Sequence, residues 1–377
     1  MFKELKYALK KKLKRTYMVQ NINLDITKNQ KRVLLAYINN SLIMDLGDIS
    51  KITHTNTLEQ AQILKVLINR GYCIDSCHLF DDLAMETIKN KHYDIIIGMG
   101  DNFRNACELN PNAKKIIYIT EMEPKEAHRR EVERLKYYEE RHGKLYSTQR
   151  SGVYYKVEDF KNLDYGIALG DTDVFKDYDF EIKRIYPSGL KNKEFKFYKK
   201  DFKKIKNNFL WFGSHGAIHK GLDLLIDIFS KREDINLHIC GLSKEDRKRI
   251  SIPNRKNIIN HGFVNVNSKE YLDIVDKCTF AILPSCAEAM STAILTSMRQ
   301  GLIPVVSKDL GFEVMGDLVY ILEDYKLDYL NSYIDKLLTI REDELYDLSN
   351  RVYLNSNQEF SLEKFTERFE QTIKEIL

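Results

Sequence analysis

No apolar run in the chain approaches the ~20 residues that cross a bilayer, so a membrane-spanning helix is not expected. Residues 1–30 are basic but lack the apolar central stretch of a secretory leader. The six cysteines form no Cys-x-x-Cys pairs, which argues against a zinc-type site. They read as reduced, mostly buried thiols of a cytoplasmic protein. Six prolines in 377 residues carry no functional signal. A net excess of positive charge is also missing outside one place. Lys3, Lys6, Lys10, Lys11, Lys12, Lys14 and Arg15 face Glu4 alone, while the whole chain is only +4. The remainder is near neutral, which argues against general nucleic-acid binding and for one local basic patch.

The chain contains 43% hydrophobic and 30% charged residues, as soluble globular proteins do, and is long enough for two domains. Residues 2–18 fit a helix with Phe2, Leu5, Ala8, Leu9 and Leu13 on one side and lysines on the other. That is the pattern of a helix lying on an anionic membrane surface, or of a solvated helix packed on the protein. A first α/β unit is expected over 31–190. Its strands fit 32–37, 72–77, 94–99, 115–120, 165–169 and 182–186, with a helix over about 57–69 and the longest helical stretch at 124–140. Residues 191–207 are lysine-dense without a strong period and read as a solvated interdomain linker. A second α/β unit follows over 208–350, and 351–377 is a C-terminal helical segment.

Two blocks in the second unit carry chemistry. The first runs from Phe280 to Ser307: an apolar strand closed by Pro284-Ser285, a loop holding Glu288, Ala289, Met290, Ser291 and Thr292, a helix, a turn at Gly301 and a second strand. A helix N-terminus beyond the carboxyl end of a parallel strand presents N–H groups and a positive dipole end, which favour phosphate. A carboxylate beside it accepts hydrogen bonds from sugar hydroxyls, so the unit suits a phosphorylated sugar. The second block is Asn208-Phe209-Leu210-Trp211-Phe212 followed by Gly213-Ser214-His215-Gly216-Ala217-Ile218-His219-Lys220-Gly221. It reads as strand, glycine-rich loop and a Lys-Gly helix start.

Together these blocks are similar to the group 1 (family 4) glycosyltransferases of GT-B fold, over roughly residues 208–323. The resemblance implies two Rossmann-like doubly wound α/β domains facing across a cleft, with the last helix crossing back to the first domain. It places Lys220 on the donor diphosphate, Glu288 on the sugar hydroxyls, and the turn His261-Gly262-Phe263-Val264 near the nucleotide base. The family's second glutamate falls on Thr296, and its Gly-Arg pair is Gly213-Ser214 here, so one phosphate-binding cation is missing; His215 and His219 are candidates to replace it. Implied activity is sugar transfer from a nucleoside-diphosphate sugar to a glycan or glycolipid acceptor, retaining and metal-independent, with no cofactor, in synthesis of a bacterial-type surface polysaccharide or glycoconjugate. The departures at Thr296 and Ser214 leave a second reading, a non-catalytic nucleotide-sugar-binding subunit.

Acceptor-side candidates lie in loops of the first unit: His54 as a general base, Asp101 and Glu121. Asp171-Thr172-Asp173 has the spacing of a metal-binding Asp-x-Asp, but a carboxylate capping a short helix fits it better.

Overall fold

A computed structural model describes residues 16–43 and 54–377. The helix expected over 2–18 lies outside the described residues up to Arg15. Thirteen strands form two sheets among the described residues. The first holds β1 (Val19–Ile22), β2 (Arg32–Tyr37), β3 (Cys73–His78), β4 (Ile95–Gly98), β5 (Lys114–Ile119), β6 (Tyr165–Leu169) and β7 (Glu181–Ile185), in the order β1-β3-β2-β4-β5-β6-β7. The second holds β8 (Asn208–Phe212), β9 (Asn236–Cys240), β10 (Ile258–Gly262), β11 (Phe280–Leu283), β12 (Ile303–Ser307) and β13 (Tyr320–Leu322), in the order β10-β9-β8-β11-β12-β13. All neighbours are parallel except β1 and β3.

Runs such as Val33–Tyr37 and Phe280–Leu283 are buried throughout, because helices cover both faces of a parallel sheet. The principal helices are α1 (Thr55–Asn69), α2 (Gly100–Leu109), α3 (Pro124–His142), α4 (Leu222–Phe229), α5 (Lys269–Lys277), α6 (Thr292–Met298), α7 (Leu327–Leu338), α8 (Glu342–Glu359) and α9 (Leu362–Ile376). Each sheet has its own apolar core. These are the two Rossmann-like α/β units of a GT-B architecture.

Strand β1 was not legible. Val-Gln-Asn-Ile has no apolar alternation, and Asn21 and Asn23 adopt positive φ, which asparagine tolerates. The strand is held at the sheet edge by polar contacts, Asn21 N–H donating to Asp75 at 2.8 Å.

Two segments depart from their expected places. Helix α3 follows β5 in the chain, yet Ala127, Leu135 and Tyr138 enter the second core. The Tyr138 hydroxyl donates to the Arg249 carbonyl (3.0 Å), the buried Arg134 guanidinium to that of Pro284 (2.9 Å), and Arg141 pairs with Asp223 and Asp227 of α4. Segment 191–207 is not a solvated linker. Its aromatic residues outweigh its lysines: Phe195 and Phe202 are buried in the second core. Lys200 is buried too, its ammonium donating to the carbonyls of Val275 (2.6 Å) and Cys278 (3.3 Å), and burial pulls its pKa down to about 8.

The chain crosses between sheets at 186–191 and near Phe360. Gly189 N–H donates to the Phe360 carbonyl at 2.9 Å, so the crossings touch. Beyond the second, α9 buries Phe365, Phe369, Ile373 and Ile376 in the first core. Glu59 of α1 reaches the first crossing and accepts from Ser188 N–H (2.6 Å) and Oγ (2.8 Å). Burial pushes its carboxyl up to about 7, against the opposing hydrogen bonds from Ser188. The folded chain therefore keeps a proton that an unfolded carboxyl, near 4.5, releases. Stability from this group is full below that value and lost as pH rises through 7. Glu59→Gln is expected to flatten this slope and to be more stable than wild type at pH 8 by roughly 1–3 kcal/mol. Parallel melting-temperature profiles of the two proteins from pH 5 to 8 would contradict it.

Candidate active site

In the second sheet the strand order reverses between β8 and β11, and ligands of open α/β sheets bind beyond the carboxyl ends at such a point. The loop after β8 brings Lys220 there; the loop after β11 brings Glu288. Their side chains form a buried ion pair, with the Ser285 hydroxyl 3.3 Å from the same carboxylate oxygen. Burial alone raises the Glu288 pKa. Lys220, Arg150 and His219 outweigh it and hold the carboxyl well below its ordinary range.

Two further acidic groups approach from outside this domain. Glu131 of α3 is buried and lies 3.5 Å from His219 Nδ1. It also accepts N–H bonds from Gln149 (2.8 Å), Arg150 (3.2 Å) and Ser151 (2.8 Å). His219 Nε2 meets the Ala287 carbonyl at 2.5 Å. Burial opposes the charged imidazole, but Cys286, Glu131 and Glu288 raise its pKa to about 10. Glu121, at the carboxyl end of β5, pairs with Arg150 at 2.5 Å. Burial and Glu288 raise the Glu121 pKa, while Arg150, Lys220 and His219 oppose this. A narrow crevice between the two sheets is lined by Glu121, Arg150, Tyr154, Tyr155, His219 and Ala287.

The halves meet closely at this crevice. A Cβ on Gly170, after β6, would come within 2.6 Å of the Ala289 backbone, so glycine is what lets the two loops touch. Asp171 next to it accepts the Asp173 N–H at 3.0 Å, as a turn-capping carboxylate does. Among the described residues no group of three or more His, Cys, Asp or Glu side chains could hold a metal ion.

The expected site residues separate into three sets. Lys220, Glu288, His219 and Glu121 come together. Met290, Ser291 and Val264 are buried in the loops beyond β10 and β11, Thr292 opens α6, and Phe263 is 69% exposed after β10. The remainder are engaged elsewhere or lie on the surface. Gly216 and Ala217 donate their N–H groups to the buried Asp246 carboxylate, each at 3.0 Å, so that part of the glycine loop is filled by a protein anion rather than open to phosphate. Gly213 N–H donates to the Cys240 carbonyl, Ser214 is exposed, and His215 lies 3.8 Å from Asp246. The Thr296 hydroxyl accepts the Leu190 N–H at 3.0 Å and ties α6 to the crossing segment. Asp101 is exposed and paired with Arg104 and Lys156, which hold its pKa down, and His54 is exposed at the start of α1. Neither belongs to the charged cluster. Sequence reasoning missed Arg150, Glu131 and Asp246, none of which belongs to a local pattern.

Residues 193–354 match the model of the glycosyl transferases group 1 family. Among curated proteins none matches the chain in sequence. Several solved structures share the fold. Sucrose-phosphate synthase from Thermosynechococcus elongatus is 12% identical, with 92% of this chain and 99% of that one covered and a TM-score of 0.62. Anabaena HepE in complex with UDP-glucose is also 12% identical, with 92% and 100% covered and a TM-score of 0.57. TarM is 15% identical with a TM-score of 0.54; 77% of this chain is covered, but it spans only 57% of TarM. Over residues 193–354 the chain is thus similar to the group 1 glycosyltransferases, and its two-sheet GT-B fold is shared with these solved structures.

Proposed function

We propose that the chain transfers a sugar from a nucleoside-diphosphate sugar to a glycan or glycolipid acceptor, with retention at the anomeric carbon and without a metal ion. The buried Lys220–Glu288 pair at the strand-order reversal carries this reading. As the bond between the anomeric carbon and the diphosphate breaks, negative charge grows on the leaving oxygens and positive charge on the sugar. A fixed, buried ammonium stabilises the first without reorganising. Glu288, kept ionised by its cations, accepts hydrogen bonds from sugar hydroxyls. The exposed ring of Phe263 offers a face to the base. HepE holds UDP-glucose on the same fold, which supports a nucleoside-diphosphate hexose as donor.

On the acceptor side the reading narrows to Glu121. It lines the crevice beside Arg150 and His219, within reach of an acceptor hydroxyl entering there, as a general base requires. A cytoplasmic role in surface glycan synthesis, with residues 1–16 against an anionic membrane face, is read from charge and family likeness; unchanged vesicle binding after deletion of 1–16 removes the membrane part. Incubating the protein with UDP-, GDP- and ADP-sugars and candidate glycans, in chelator, is expected to release one nucleoside diphosphate. Binding of a nucleotide sugar without any turnover would favour the non-catalytic reading instead, and activity lost in chelator would remove metal independence.

A further inference from the structure

We propose that Arg150, from the first half of the chain, is the second cation on the leaving diphosphate, opposite Lys220; this rests on the donor-site reading above. The loop after β8 does not meet that need. Ser214 carries no charge, and the Gly216 and Ala217 amides are already taken by Asp246. His219 is spoken for by Glu131 on one ring nitrogen and the Ala287 carbonyl on the other, so from this loop Lys220 is the cation left to face a group carrying at least two negative charges.

Arg150 reaches this place across the gap between the two halves. Its stem runs over Gly216, where a Cβ would come within 2.9 Å of Cγ and 3.2 Å of Cδ. Gly216 has φ +93, which disfavours other residues as well, so the glycine serves both the turn and the arginine. The guanidinium pairs with Glu121 at 2.5 Å and lies over the Tyr154 ring at 5.2 Å. Its Nε is buried and has no hydrogen-bond partner. It lines the crevice together with His219 and Ala287, the neighbours of Lys220 and Glu288 in sequence.

The arginine is also positioned in advance. Glu131 accepts the amides of Gln149, Arg150 and Ser151 and lies against His219, so one carboxylate fixes the turn bearing Arg150 relative to the helix start bearing Lys220. A planar guanidinium with five N–H donors suits a diphosphate held from two sides. Glu121 is then its partner while the site is empty, and releases it when the diphosphate arrives.

Calorimetric titration tests this with UDP, GDP, ADP and CDP, followed by the monophosphate and nucleoside of whichever binds wild type. Arg150→Ala is expected to weaken the diphosphate at least about tenfold, the monophosphate less and the nucleoside not at all, a gradient set by the number of phosphate charges. Arg150→Lys should recover part of the loss while keeping the fold. Glu121→Gln, which removes the competing carboxylate, should tighten diphosphate binding. Equal diphosphate affinity in folded Arg150→Ala, an equal loss for the nucleoside, or weaker binding in Glu121→Gln overturns the role of Arg150 and leaves the donor site standing. No nucleoside diphosphate binding to wild type overturns the donor site and this role with it.

Discussion

Lys220→Met is expected to slow sugar transfer by about 10²–10³-fold, the scale seen when one preorganised donor to a developing anion is removed. Methionine keeps most of the volume of a side chain that is only 5% exposed, so the loss is one of charge rather than packing. A second consequence follows from the pair itself. Burial is the leading influence on Glu288 and acts to raise its pKa; Lys220 is the foremost cation opposing it. Without Lys220 the carboxyl is left to Arg150 and His219 and moves towards protonation, and a neutral carboxyl holds sugar hydroxyls less firmly. Breaking a buried pair also destabilises, here by about 2–4 kcal/mol because two cations remain. Turnover within about threefold of wild type in a folded Lys220→Met protein would contradict the assignment.

Glu131→Gln is expected to have the next largest effect, although Glu131 belongs to a helix that starts in the first half of the chain. Its carboxylate serves three main-chain N–H groups and His219 at once. An amide has one acceptor oxygen in place of two and no charge. Some of those N–H groups lose their partner, and a buried imidazolium loses its counter-ion. Unmade buried hydrogen bonds and unpaired charges cost about 1–3 kcal/mol each, so a loss of roughly 3–5 kcal/mol is expected. Activity should fall as well, since the turn bearing Arg150 is released from the Lys220 helix start. Denaturant unfolding and turnover measured together check this. Wild-type stability in the variant would mean that Glu131 does not organise the site.

The second domain was readable because its signals are local. Phe280–Leu283, the Pro284-Ser285 stop, Glu288 and the Gly301 turn lie within one βαβ unit, and β11 and β12 pair in parallel as that pattern requires. Lys220 was readable for the same reason, placed between an apolar strand and an apolar helix. The other half of the charged cluster was not. Arg150 sits in an irregular loop, and Glu131 is one of several acids on a charged helix. Asp246 opens a short helical turn after β9. The roles of Arg150 and Glu131 come from the packing of α3 on the second domain, and that of Asp246 from the contact of its turn with the glycine loop after β8, tertiary preferences that no periodicity encodes. Thr296 shows the converse. Its position in the family pattern pointed to the nucleotide, while in the fold its hydroxyl holds the Leu190 N–H and fastens a domain crossing.

The most direct test of the central claim is a structure determined with a nucleoside-diphosphate sugar bound. The account predicts the diphosphate within about 3 Å of the Lys220 ammonium and the sugar hydroxyls at similar distance from Glu288, beyond the ends of β8 and β11. A diphosphate bound elsewhere, with the Lys220–Glu288 pair intact and untouched, would contradict it.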